Sequence, residues 1–267
     1  MAEGISFLYS FDVGNRNVET PAIDIVECSP TAEGDFAPEN IFTDSVRHTW
    51  RTQECLTPQY IIIKAQKKTV IDTFAILGHN FSPDAIITIE ANIGNNFTAP
   101  PVKFVVPAYP DNLVIAQEFD ASCDHYKITV LDPTNPCGYI EFGRVIGGRA
   151  LIMRNDEDIT DSYSVSYKDN SEKLRTLGFF TASNENITSR DLSCSFSKLY
   201  TVEGKNENYV KLREMFKLMK TTKPFLTVLD RASPNKLAIW GQLKSIPNDS
   251  FTVNDFVSMS LSIAEVF

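Results

Sequence analysis

Hydrophobic and polar positions alternate with a period of two over much of the chain. The period lengthens convincingly only once. Residues 70–91, VIDTFAILGHNFSPDAIITIEA, hold two β-branched apolar runs, 70–77 and 85–91, on either side of the polar break Gly78-His79-Asn80-Phe81-Ser82-Pro83-Asp84. Gly, Asn and the Ser-Pro pair supply positive φ, tolerance of left-handed backbone and a fixed φ, the ingredients of a turn. The second run sets Ile87, Ile89 and Ala91 against Thr88 and Glu90, which predicts a half-buried strand. The stretch reads as strand, tight corner and strand at the centre of a β-domain.

The same pattern predicts strands over 60–65, 102–106, 113–119, 125–131 and 139–146. They are separated by Gly94-Asn95-Asn96, Pro100-Pro101 and Asp132-Pro133-Thr134-Asn135-Pro136. Residues 1–28 read as two strands around Gly14-Asn15, or as an arm that pairs with a neighbouring subunit. Gly147-Gly148 closes this first region. In a sandwich, loops such as 78–84, 92–101 and 132–137 gather at the ends, where binding usually occurs.

Beyond residue 149 the character changes. Strands are predicted at 163–167, 175–182 and 192–199. Over 206–220 the period becomes helical: Tyr209, Leu212, Phe216 and Met219 form one stripe, which Met215 and Leu218 widen. Glu207 and Lys211 form an i,i+4 pair on the polar side. Extended segments follow at 225–229, 236–243 and 256–267, the first two joined by a turn at 230–235. The expected architecture is mainly β: N-terminal strands or an arm (1–28), a β-sandwich (29–148), and a smaller α+β domain (149–267) with an antiparallel sheet and one main helix.

Composition narrows the functional classes. With 43% hydrophobic and 11% aromatic residues in 267, packed cores are expected rather than disorder. A formal charge of −9 disfavours a nucleic-acid backbone as partner. No apolar run approaches the about 18 residues of a membrane span, and the N-terminus lacks the basic start and apolar core of a secretory signal. Cys28, Cys55, Cys123, Cys137 and Cys194 show no CxxC spacing, so free thiols are expected.

Short motifs in order carry a resemblance. Pro38, Asn40, Ile41 and Asp44, then Thr49-Trp50-Arg51, resemble the opening of discoidin-like, galactose-binding-like β-sandwich domains, with Thr52 where that family usually has Ser. AILGHNF (75–81) and YIEFGRVIGGRAL (139–151) are similar to tail-associated virion proteins of bacteriophages. So are 224–228, Ile239-Trp240-Gly241-Gln242-Leu243 and Ser262-Ile263-Ala264-Glu265-Val266-Phe267. The resemblance implies a galactose-binding-like jelly roll in a structural protein of a tail tip, baseplate or junction ring.

Catalytic signals are weak. His48, His79 and His125 are far apart for a metal site. Glu39, Asn40 and Asp44 offer oxygen ligands for the calcium that discoidin-like domains often hold, and serve equally well as turn residues. Cys123-Asp124-His125 lacks the geometry of a nucleophile and its base, no GxSxG elbow is present, and Asp156-Glu157-Asp158 reads as a solvated turn. Trp50 sits in a motif buried in the family, whereas Trp240 is a possible sugar platform.

The expectation is therefore a non-enzymatic virion protein without cofactor or metal. It would be made in the host cytoplasm, with no nucleic-acid or membrane partner, and join itself and other tail proteins in a ring-like homo-oligomer. The alternative is a carbohydrate-binding module recognising host surface glycan. His79, Asn80, Asn95, Asn96, Asn135 and Trp240 are the candidate ligand or assembly residues.

Overall fold

Period-two runs become strands in the computed structural model, which describes residues 3–9, 24–110, 112–154, 160–175, 181–184, 188–200, 208–253 and 256–267. In chain order the elements are β1 (Glu3–Leu8), β2 (Asp24–Cys28), a 3-10 turn (Pro38–Phe42), β3 (Trp50–Arg51), β4 (Gln59–Thr69), β5 (Thr73–His79), β6 (Ile86–Asn92), β7 (Val102–Pro107), β8 (Asn112–Ile115), β9 (Cys123–Leu131) and β10 (Glu141–Gly148). Then come β11 (Leu151–Arg154), β12 (Thr160–Lys168), β13 (Glu172–Arg175), β14 (Thr181–Asn184), β15 (Ser189–Tyr200), α1 (Asn208–Met219), β16 (Phe225–Val228), β17 (Ala238–Leu243), β18 (Ser250–Val253) and β19 (Phe256–Glu265).

The chain divides into two compact units. One takes Leu8–Ala150, Val228–Ala238 and Phe267, and the other takes Met1–Phe7, Leu151–Thr227 and Ile239–Val266. These limits differ from the sequence boundaries in three places. Strand β1 lies inside the sheet of the second unit, between β11 and β16; β2, also expected in the N-terminal arm, pairs with β4 in the sandwich; and the 228–238 turn belongs with the sandwich. Residues 10–23 of the expected arm fall outside the described residues.

The first unit is an antiparallel β-sandwich. A five-stranded sheet in the order β2-β4-β9-β6-β7 is joined by a four-stranded sheet, β3-β10-β5-β8. Alternation decides what fills the interior: Ile61 and Ile63 of β4, Ile87, Ile89 and Ala91 of β6, and Tyr126, Ile128 and Val130 of β9 are all buried. They share one core with Phe74, Ile76, Val145 and Trp50 from the other sheet. Phe74 stacks on both Phe119 and Tyr126, at 6.3 and 6.1 Å between ring centroids. Gly147 and Gly148 continue β10 as partners of Phe74 and Thr73, so they do not end the strand pattern. A side chain at Gly147 would meet the Phe74 ring at 2.9 Å, which explains the glycine.

The second unit carries an eight-stranded sheet, β11-β1-β16-β17-β19-β15-β12, with β18 also on β19. Register separates its faces. Leu192, Cys194 and Phe196 oppose Ile263, Leu261 and Met259, all buried, while Ser193 and Ser195 oppose Ser262 and Ser260 on the other face. Helix α1 contributes Leu212, Met215, Phe216 and Met219 to the core. Leu218, expected in that stripe, is 56% exposed. Tyr209 is held by its hydroxyl, which donates to Asp249 at 2.9 Å. Of the strand expected at 175–182, Arg175 lies in β13 and residues 181–182 in β14, which among the described residues pair with each other as a two-stranded ribbon; residues 176–180 are outside the described set.

Candidate functional site

Three of the candidate residues, His79, Asn80 and Asn135, lie at one end of the sandwich, and two of them, Asn80 and Asn135, are bound to each other. Asn80, just past β5, donates its amide to the Tyr139 carbonyl at 2.9 Å and accepts the Glu141 N–H at 2.9 Å. Asn135 donates to the Asn80 carbonyl at 3.0 Å and to Asp132 at 2.9 Å, and accepts the Cys137 N–H at 2.9 Å. Asp132 is fully buried and takes both the N–H and the hydroxyl of Ser82, at 2.8 and 2.5 Å. His79 accepts the Phe81 N–H on Nδ1 at 3.2 Å and stacks on the Phe81 ring at 4.2 Å. Hydrogen bonds of this kind among Asn80, Ser82, Asp132 and Asn135 fix the loops and leave the two amides little donor capacity for a ligand. Asp132 is the hub. The sequence marked it only as the start of an Asp-Pro turn.

The tryptophans offer no platform either. Trp240 is 2% exposed in β17, and Trp50 is 1% exposed with its indole N–H on the Thr31 hydroxyl at 3.1 Å. Trp240 is therefore withdrawn as a sugar-stacking residue: its strand faces a core on that side.

The remaining pair is different. Asn95 and Asn96 are exposed in the 93–101 loop, where Gly94 donates its N–H to Asp124 at 2.9 Å and Asn96 accepts the Thr98 N–H at 3.1 Å. Beside them the Lys127 ammonium lies 5.9 Å from the Phe97 ring and 5.1 Å from the Tyr60 ring.

Chemistry elsewhere resolves into structural roles. Cys123 is buried in the core, and burial pushes its thiol above the ordinary value, the opposite of an activated nucleophile. His125 pairs with Asp124 at 2.6 Å. Asn40 gives its amide to the Asp35 and Thr49 carbonyls at 2.6 and 2.9 Å, while Asp44 lies 3.8 Å from the guanidinium of Arg144. Burial lowers Arg144 to about 10, with Asp44 opposing the shift, and its Nη1 donates to the Thr43 carbonyl at 3.1 Å. The loop expected as a calcium candidate is thus held by hydrogen bonds and a buried cation. Among the described residues no group of three or more His, Cys, Asp and Glu side chains could hold a metal ion, and no helix is long and apolar enough to cross a membrane.

What the fold leaves unmet lies in the second unit. Among the described residues the ribbon β13–β14 belongs to no larger sheet, and β12, nine residues long, ends the eight-stranded sheet. A two-stranded ribbon in water is marginal on its own, and a free edge is a template for another strand.

No protein family matches the sequence, and no curated protein matches it. Solved structures align with part of the chain at low identity. Chitosan-binding module 1 of a chitosanase/glucanase from Paenibacillus sp. IK-5 aligns at 13% identity and a TM-score of 0.38, over 47% of this chain and 93% of that one. CBM32-1 from a family 31 glycoside hydrolase of Clostridium perfringens aligns at 15% and 0.38, over 50% and 97%. A chain from the tail of an empty GTA particle aligns at 11% and 0.30, over 43% and 82%. The sandwich rests on the strand order given above; at such scores these matches decide neither ligand nor assembly.

Proposed function

We propose that the chain is a structural subunit of a tailed-phage virion, located in the tail, that works by assembly and not by catalysis. The observation that carries this reading is the β13–β14 ribbon, which pairs with nothing but itself among the described residues. Such a ribbon gains stability when a third strand or a packed surface joins it, and a neighbouring subunit supplies one. The phage-tail-like text at 75–81, 139–151 and 262–267 supports the same class, and so does the closure of the 78–84 and 132–137 loops upon each other. Immunogold electron microscopy of particles released by cells carrying the gene tests the reading: label on the tail supports it, and unlabelled intact tails overturn it.

Glycan recognition is the second reading, favoured by one local feature. The exposed Asn95 and Asn96 lie next to Phe97 and Lys127, a set of amides, an aromatic ring and a cation suited to polar ligands. A glycan array with the chain and its Phe97→Ala variant tests it. Binding that the variant loses supports the loop; no binding to any glycan removes it.

A further inference from the structure

We infer that β12 is a self-association edge, which takes the β12 strand of a second copy in antiparallel, two-fold pairing centred on Ser164. This rests on the assembly reading and names its partner. Strand β12 spans nine residues, roughly 30 Å at about 3.4 Å per residue. Its inner side pairs with β15, where Tyr163, Val165 and Tyr167 oppose Cys194, Leu192 and Arg190. Opposed residues share a face, so these three side chains continue the face that carries the buried Leu192 and Cys194. Yet Tyr163 is 51% and Tyr167 70% exposed. The core face runs on past its cover.

The β13–β14 ribbon apart, every other sheet edge among the described residues carries an obstacle. Strand β2 has Asp24, Glu27 and a bulge, and β7 has Lys103 and Pro107. Strands β3 and β18 have two and four residues. Asn235 occupies Val114 on β8, and Asn208 donates to the Ile152 carbonyl of β11 at 3.2 Å. These are the devices by which sheets avoid accidental pairing. In β12 the charges Asp161 and Lys168 and a bulge between Thr160 and Ser162 stand near the ends, and Ser162-Tyr163-Ser164-Val165-Ser166-Tyr167 has neither charge nor proline.

The edge is complementary to itself. Antiparallel pairing about Ser164 sets Tyr163 against Val165 of the partner copy and Ser162 against its Ser166. Aromatic face continues into aromatic face, and serine face into serine face. A one-residue slip sets tyrosines among serines, so the alternation fixes which faces meet; shifts of two residues, centred on Tyr163 or Val165, keep the same faces, and the cross-link at 164 reads which centre is used. A buried tyrosine removes roughly 150–250 Å² from water. Tyr163 and Tyr167 expose only about half and two thirds of that area, so with Val165 and both backbone edges the contact buries several hundred Å² over the two copies, the size of a weak, concentration-dependent association. The alternative, a head-to-tail ring joining β12 to β11, has to displace Asn208 from Ile152.

Ser164→Cys in a Cys137→Ser background gives the test, because two-fold pairing alone brings position 164 against itself. The expected results are a dimer by sedimentation and rapid 164–164 disulfide formation under mild oxidation. Tyr163→Lys with Tyr167→Lys, both exposed and so compatible with folding, should weaken the dimer about tenfold or more. Four results overturn the pairing. Oligomers without the cross-link mean that another register or another surface joins the copies, oligomers indifferent to the two lysines mean another surface, and in both cases the assembly reading stands. A monomer at all concentrations that immunogold still finds on tails leaves that reading intact too. A monomer absent from tails overturns both.

Discussion

Asn235 closes a sheet edge with its side chain alone. Its Nδ2 donates to the Val114 carbonyl at 3.0 Å, and its Oδ1 accepts the Val114 N–H at 2.6 Å, the two bonds that a neighbouring strand would make to β8. Arg231, on the same 228–238 turn, donates to the Thr73 hydroxyl at 2.9 Å and the Asp72 carbonyl at 3.1 Å. The turn is thereby tied to two strands of the four-stranded sheet. Asn235→Ala leaves both backbone groups of a buried Val114 without this partner, and each lost bond is worth about 1 kcal/mol. The expected loss is about 2 kcal/mol by urea unfolding. Asn235→Asp should be no better, since a carboxylate cannot donate to the Val114 carbonyl.

Gly143 and Gly94 should fail for different reasons when changed to Ala. A Cβ at Gly143 would stand 2.1 Å from the Val46 carbonyl oxygen, and that atom is backbone. The segment around Val46 has to move, so the expected destabilisation is about 3 kcal/mol. At Gly94 the space is open, but φ is +78°, where an L-residue is strained by about 1–2 kcal/mol. Denaturant midpoints of the two variants check the order; Gly94→Ala costing more than Gly143→Ala refutes the account.

Much of the fold was legible because its strands alternate. Ile87, Ile89 and Ala91 are buried where the period of two places them, and Leu212, Phe216 and Met219 are buried where the helical period does. The candidate site was legible in position and not in role. Asn80 and Asn135 do sit in loops at one end of the sandwich, but their amides are spent on backbone carbonyls and an N–H 55 to 61 residues away in sequence, a relation that no local pattern encodes. Asp132 and Asn235 were hidden for the same reason. Trp240 was ambiguous because a mid-strand residue is assigned a face only by its neighbours, and those neighbours, β16 and β19, come from other parts of the chain.

Thiol reactivity should separate the five cysteines. Cys137 is exposed, whereas Cys55, Cys123 and Cys194 are buried. Burial raises the pKa of each buried thiol, and in Cys194 it reaches about 12. Cys28 is half-buried and also raised by burial, against a hydrogen bond with Thr31. Near pH 8 an alkylating reagent should therefore label Cys137 promptly, Cys28 slowly and the other three only after unfolding. Mass mapping of the labelled sites reads this out. Prompt labelling of Cys194 would mean that the β15–β19 core face is open.

Two carboxylates should make the fold sensitive to acid. Glu54 is held below the ordinary range chiefly by the Thr57 hydroxyl, with the Leu56 N–H at 2.7 Å and Gln59 at 2.7 Å assisting against desolvation. For Asp124, burial pushes upward, but the Gly94 N–H and the His125 ring outweigh it and leave the group below its usual value. A depressed carboxyl binds fewer protons folded than unfolded, so its stabilisation is complete above the unfolded values near about 4 and is lost as pH falls through the folded ones. The Glu54→Gln, Asp124→Asn double variant lacks these two titrations. Unfolding midpoints of the parent should fall between pH 5 and pH 3, by ordinary carboxylate ranges, more steeply than those of the variant. Parallel curves would show that neither contact favours the charged form.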